Sequence, residues 1–165
     1  MSNSLKRFSI GGVTTNLEYN LVPYLIVEIT KFLDIKMLDN HIGWLVPSIT
    51  NASIFFKMIG YNEASDIIYD PIRKINILFI IKESQTIELI EPTTKDSIVY
   101  TYLKTRGPGP YHLCLPKEDN ETLVKKLSNL KFFPITQNEE AIALKNLNVQ
   151  FFYNKEIGII EIAAK

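Results

Sequence analysis

The order strand, helix, then several strands occurs twice in this 165-residue chain, over 41–91 and again over 111–163, and each copy carries the same polar pair. His41 opens the run His41-Ile42-Gly43-Trp44-Leu45-Val46, with Pro47 just after; His112 opens His112-Leu113-Cys114-Leu115, with Pro116 just after. Glu88 follows His41 by 47 residues, and Glu161 follows His112 by 49. Each Glu stands inside an aliphatic strand, Ile87-Glu88-Leu89-Ile90 and Ile160-Glu161-Ile162. Residues 120–128 do not otherwise resemble 51–60, so the repeat is one of architecture and polar marks. A chain with such a period is built from two copies of one supersecondary unit.

The remaining pattern supports that reading. Residues 78–81, 87–90, 149–153 and 157–162 are dense in Ile, Val, Phe and Tyr and are expected to be strands. Helices are expected over 50–58, with Ile54, Phe55 and Met58 on one face, over 97–104, and over 118–130. In the last of these, Leu123, Val124, Leu127 and Leu130 recur at helical spacing, Asp119 is a candidate cap, and Lys125 and Lys126 take the polar side. The segment 92–110, with its Gly107-Pro108-Gly109-Pro110 turn, connects the two halves. Residues 1–39 stand outside the repeat as a partly ordered extension: Gly11, Gly12 and Thr14-Thr15-Asn16 suggest an extended start, and Pro23 is placed to open a helix over 23–33.

With 46% hydrophobic residues, the chain has the material for one real core and is not expected to be disordered. Eighteen basic and eighteen acidic side chains cancel, so no global positive field argues for nucleic acid as a partner. No signal-peptide run follows Lys6 and Arg7, and no segment reaches the roughly 18 apolar residues that span a bilayer, so no membrane is expected. The single Cys114 has no partner for an internal disulfide, which fits a reducing compartment and a cytoplasmic location. Its ordinary role is that of a small core thiol.

A carboxylate buried without a partner in an aliphatic strand is destabilising by several kcal/mol, so Glu88 and Glu161 need an explanation. A lone strand-initial His is usually structural, and a lone strand Glu usually lies on a solvated face. Here the only two histidines fall at corresponding points of the two halves, each with a strand Glu at matched distance. If the matching strands face one cavity, His41, Glu88, His112 and Glu161 converge there, enough to hold one divalent metal with positions left for water or substrate. Glu91, on the opposite face from Glu88, is expected to pair with a surface Lys.

These residues resemble a known family. His41-Ile42-Gly43, Glu88-Leu89-Ile90-Glu91-Pro92, the run 98–103 with Arg106-Gly107, His112, and Glu161 near the end are similar to the vicinal oxygen chelate superfamily, which includes glyoxalase I. The Glu88 to His112 stretch is most like the methylmalonyl-CoA epimerase branch. The resemblance covers 40–163 and implies an α+β fold: two βαβββ modules, 41–91 and 111–163, forming curved mixed sheets around a metal site. It implies metal ligands His41, Glu88, His112 and Glu161 for manganese, cobalt, nickel, iron, magnesium or zinc. It also implies proton transfer next to a carbonyl, with Glu161 as the ligand placed to leave the metal and act as base. The chain departs from the epimerase pattern where a second acid is usual: Asp70-Pro71-Ile72-Arg73-Lys74 stands there, with Asp70 as a substitute.

The expected substrate is accordingly a small acyl thioester. Arg73, Lys74, Lys104 and Arg106 are candidates for meeting carrier phosphates, although solvated surface charge is the ordinary reading of each. Lactoylglutathione lyase is the alternative activity. A non-catalytic binding protein of the same fold, with Trp44, Phe79, Tyr111 and Phe151 lining a cavity, is the alternative of another class. A homodimer is expected, with Phe151-Phe152 and Ile159-Ile160 as candidate interface clusters.

Overall fold

The computed structural model describes residues 6–10, 13–17, 40–116, 120–145 and 147–164. The chain divides into two compact units, Met1–Ile35 and Lys36–Lys165. In the first, β1 (Lys6–Ile10) and β2 (Val13–Leu17) pair antiparallel, with Ile10 opposite Val13. The helix expected over 23–33 lies outside the described residues, as does the candidate cap Asp119.

The second unit is an α+β structure in the order β3 (Ile42–Leu45), α1 (Ile49–Met58), β4 (Asn62–Glu63), β5 (Ile68–Asp70), β6 (Ile75–Lys82), β7 (Gln85–Pro92), α2 (Tyr100–Arg106), β8 (Gly109–Pro116), α3 (Asn120–Asn129), β9 (Phe133–Pro134), β10 (Glu139–Ala141), a 3-10 turn (Ile142–Leu144), β11 (Leu147–Asn154) and β12 (Gly158–Ala164). Its strands form one open, curved sheet in the order β10-β11-β12-β8-β3-β7-β6-β4, with β5 also on β6 and β9 also on β11. Each module places its first strand parallel to its last: β3 beside β7, and β8 beside β12. In each, the penultimate strand returns antiparallel, β6 on β7 and β11 on β12. The modules join where β3 and β8 run antiparallel.

Period-2 alternation sorts the aliphatic residues of these strands into two layers. Ile75, Ile77 and Phe79 of β6 and Ile90 of β7 point to one face, where they meet Val149 and Phe151 from the second module in a shared core. Leu78, Ile80, Ile87 and Leu89 point to the other and pack with Val46, Ile49 and Phe56 under α1. Leu127 of α3 covers Phe152, Ile160 and Ile162 in the corresponding way. Burial on both faces is why β6 and β7 read as near-continuous apolar runs. Glu88 lies on the shared inner face with Ile90.

Several expectations are corrected. The buried face of α1 is Ile49, Ser53 and Phe56, whereas Ile54, Phe55 and Met58 are 58%, 55% and 78% exposed. Two contacts set that phase. Ser48 caps the helix by accepting from the Asn51 N–H at 3.3 Å, and the Phe56 ring meets Trp44 and Tyr61 edge-on at 5.7 and 5.4 Å. In α3 only Leu127 of the expected stripe is fully buried, while Val124 and Leu130 are exposed. The turn at 107–110 is shorter than expected, because Gly109 and Pro110 already belong to β8, opposite Leu45 and Trp44 beside a register irregularity. Such an irregularity tolerates proline, which has no N–H to give the ladder. Phe151, Phe152 and Ile160 are buried within this chain, so those clusters are not available to a second copy.

Among the described residues Glu91 pairs with no surface Lys. Its Oε2 accepts from the Ile49 N–H at 2.8 Å, so the carboxylate stands at the positive end of α1. Glu91→Ala is expected to lower stability by about 1–2 kcal/mol, as loss of a helix-terminal acceptor does. Urea unfolding measures this, and metal affinity should not change, because Glu91 faces away from Glu88.

Candidate metal centre

His41 immediately precedes β3, and its carbonyl accepts from the Cys114 N–H at 2.8 Å, which ties it to β8. In the sheet register Gly43 lies opposite both His112 and Glu88, and Glu161 lies opposite Cys114. Pairing the first strands of the two modules therefore brings the four polar marks of the repeat together on the inner face. The two histidine Nε2 atoms are 3.2 Å apart. Glu88 Oε2 is 3.3 Å from His41 Nε2 and 3.5 Å from His112 Nε2; Glu161 Oε2 is 3.3 and 3.2 Å from the same atoms. One donor atom from each residue falls within 4.8 Å of the others, and none of the side chains is more than 9% exposed.

Two carboxylates beside two neutral imidazoles leave two negative charges in a buried pocket, which is the charge one divalent cation cancels. Burial disfavours the charged form of His41, but Glu88 beside it, with hydrogen bonds to Cys114, Glu161 and Glu88, raises its pKa well above the ordinary value. Burial likewise disfavours ionised Glu161, and the charge of His112 with hydrogen bonds to both histidines nonetheless holds that carboxyl well below its usual range. The fit to a cation is seen in the atoms themselves. Glu161 Oε2 is fully buried and faces both imidazole Nε2 atoms, at 3.3 and 3.2 Å, so the donor atoms of the cluster crowd around one point. A mixed nitrogen and oxygen donor set suits the divalent ions expected above.

The surroundings obey the same pseudo-symmetry, which sequence reading did not use. Phe79 lies opposite Glu88 and Phe151 opposite Glu161; their rings meet His41 and His112 edge-on at 5.4 and 5.3 Å, both at 74°. Two residues after each histidine come Gly43 and Cys114. A Cβ on Gly43 would sit 2.2 Å from His112 Cε1, so the imidazole occupies the space a side chain would need. The positions at histidine plus two were the available signal. Cys114 is fully buried, with its thiol pKa pushed up to about 12 chiefly by burial, as befits a core thiol beside His41.

A cavity of about 590 Å3, counted with its open mouth, adjoins Glu88, His112 and Glu161. Tyr111 and Phe151 line it as expected, but Phe79 is sealed in the core and Trp44 packs on the other face under α1. Arg73 is buried in the cavity wall rather than spread on the surface, its Nη1 2.6 Å from Asp70 Oδ2. Asp70 Oδ1 accepts from the N–H groups of Ile72 and Arg73 at 2.8 and 3.0 Å, so this carboxylate anchors a turn and neutralises Arg73. That engagement argues against Asp70 as a spare acid. Lys74 pairs with Asp96 at the surface, and Lys104 and Arg106 are exposed.

His112→Ala and Glu88→Ala are each expected to lower affinity for a divalent ion by orders of magnitude, since both charge and preorganisation are lost. Gly43→Ala keeps all four candidate ligand residues but displaces the His112 ring. It should weaken metal binding about 10- to 100-fold, the usual scale for losing support of a ligand. Calorimetric titration reads all three, and parental affinity in His112→Ala would show that the constellation is wrong.

The profile of the Glyoxalase/Bleomycin resistance protein/Dioxygenase superfamily matches residues 40–151. The chain is 25% identical over 120 residues to human mitochondrial methylmalonyl-CoA epimerase, covering 72% of this chain and 68% of that one. Among solved structures, it is similar to a hypothetical protein of Bacillus halodurans, with a TM-score of 0.67, 21% identity, and coverage of 76% and 92% of the two chains. It is also similar to a variant of Streptomyces coelicolor methylmalonyl-CoA epimerase in complex with 2-nitronate-propionyl-CoA, with a TM-score of 0.64, 16% identity, and coverage of 75% and 94%. The paired modules, the inward-facing His and Glu of each, and the match across both place this chain in the glyoxalase/bleomycin resistance/dioxygenase superfamily.

Proposed function

We propose that this protein is a metal-dependent enzyme that moves a proton on the carbon next to the carbonyl of an acyl thioester, in the manner of a methylmalonyl-CoA epimerase. The observation that carries the proposal is the convergence of His41, Glu88, His112 and Glu161 at the wall of a cavity, with Glu161 Oε2 buried and facing both imidazoles. A divalent ion held by these four would supply positive charge against the oxyanion that develops as the proton leaves. Glu161 accepts the proton, and the bond's electron pair moves into the adjacent carbonyl system. Its low basicity while it faces His41 and His112 rises once substrate oxygens draw it out of the cluster. Glu88, its counterpart in the first module, is the other carboxylate of the cluster and the candidate to return a proton to the opposite face. The aliphatic cavity wall keeps water from the carbanion.

The relatives named as methylmalonyl-CoA epimerases, and the acyl-CoA analogue held by one of them, support an acyl thioester over the glutathione adduct of a lactoylglutathione lyase, which the same four ligands would also serve. Among the described residues no helix is long and apolar enough to cross a membrane. The buried, unbridged Cys114 supports a reducing, cytoplasmic setting, and a homodimer belongs to the same proposal. Sedimentation at micromolar concentration is expected to show two chains per particle, and only monomer would contradict that part.

Glu161→Gln is expected to keep partial metal affinity while abolishing exchange of the substrate's α-proton with deuterated solvent, followed by nuclear magnetic resonance. Exchange at the parental rate in that variant would move the base to another residue. No exchange by the parent on any acyl thioester would replace the enzyme with a binding protein.

A further inference from the structure

The two modules repeat their polar pair but not the residue beside it. Two positions after each histidine, on the same face of the strand, stand Gly43 and Cys114. The sheet register sets each of them against the carboxylate of its own module. Gly43 lies opposite Glu88 in the parallel pair β3 and β7, and Cys114 lies opposite Glu161 in the parallel pair β8 and β12. The site is thus a near-copy of itself, broken at one pair of equivalent positions. Beside Glu88 is a residue with no side chain, and the His112 ring takes up that space. Beside Glu161 is a thiol.

Cys114 is fully buried, and its N–H donates to the His41 carbonyl at 2.8 Å, so the strand holds it in one place against the cluster. Phe79, Val149, Phe151 and Ala163 belong to the same packed layer. The thiol is hydrogen-bonded to both His41 and Glu161. It has one proton to give, and an ionised carboxylate can only accept, so the S–H donates to Glu161 while an N–H of His41 donates to the sulfur. A carboxylate that offers an oxygen to an ion is oriented by the donors around it, and losing such a donor weakens the site although every ligand residue remains.

We propose that Cys114 is a positioning residue: its S–H group orients the Glu161 carboxylate, a support that Glu88, beside Gly43, lacks at the equivalent position, so the two carboxylates of a nearly symmetric site are inequivalent. The inference rests on the metal site and on the role of Glu161 in the proposed function. A thiol is a weak donor, which orients the carboxylate without tying up the electron pair that takes the proton.

Three substitutions separate the donor from the volume it fills. Cys114→Ser keeps a donor, Cys114→Val fills the space without one, and Cys114→Ala does neither. Manganese binding to the full chain is measured by calorimetric titration, with a melting temperature for each variant to show that it is folded. The Val and Ala variants should bind manganese about 10- to 100-fold more weakly than the parent, the usual scale for losing support of a ligand, and the Ser variant should stay within about threefold of it. A thiol that only packs the core predicts the reverse order, since valine is at home in an apolar layer and a hydroxyl is not. With each protein saturated in manganese, α-deuterium exchange on methylmalonyl-CoA should fall about tenfold or more in Cys114→Val and recover in Cys114→Ser. Parental manganese affinity in Cys114→Val, weaker binding by the Ser variant than by the Val variant, or parental exchange in saturated Cys114→Val would each overturn the inference. No exchange by the parent removes the catalytic reading instead, and the order of manganese affinities then decides the role of Cys114 by itself.

Discussion

Two carboxylates and two imidazoles share one buried spot, and the interior around them is stable only if their charge is balanced. A divalent cation would balance it with both histidines neutral, and a proton on an imidazole works in the same direction: Glu88 beside His41 raises that group's pKa. The rest of the architecture serves this requirement. Glu88 and Glu161 sit in central strands, where the backbone is held from both sides, and each histidine lies at or beside the strand joining the modules. Carboxylates on flexible loops would be free to turn toward water. Strand carboxylates flanked by Ile and Leu are held where they are.

The sheet's two faces divide the labour. The outer face is covered by α1 and α3 and supplies stability through Leu89, Ile87, Phe152 and Ile160. The inner face holds the shared core, the four candidate ligand residues and the cavity. A single-residue slip in the pairing of β6 with β7 would turn Glu88 into the layer under α1, so the aliphatic alternation that fixes register also places the chemistry. Gly43 is where packing and function meet: the joint between β3 and β8 leaves room for the His112 ring only because that position has no side chain.

Much of this was legible in the sequence, because it rests on alternation and spacing. The polar pair repeated at 47 and 49 residues pointed to two modules with a shared site, and the strands around Glu88 and Glu161 stand where their β-branched runs lie. What was not legible depends on tertiary contact. The apolar face of α1 was read as Ile54, Phe55 and Met58, but the Ser48 cap and the rings of Trp44 and Tyr61 turn Phe56 inward instead. Glu91 gave no hint that it would meet the start of α1, because that contact joins residues 42 apart. Arg73 read as surface charge, since its burial is permitted only by Asp70 three residues earlier and by the Glu140 carbonyl of the second module.

The central claim is that the repeat exists to assemble one metal site from both halves. Diffraction from crystals grown with manganese or cobalt, collected at the metal's absorption edge, tests it most directly. The account predicts a single anomalous peak per chain, about 2.0–2.2 Å from Nε2 of His41 and His112 and from an oxygen each of Glu88 and Glu161. A full-occupancy peak elsewhere, or four ordered side chains at this spot with no peak in metal-saturated crystals, would contradict it.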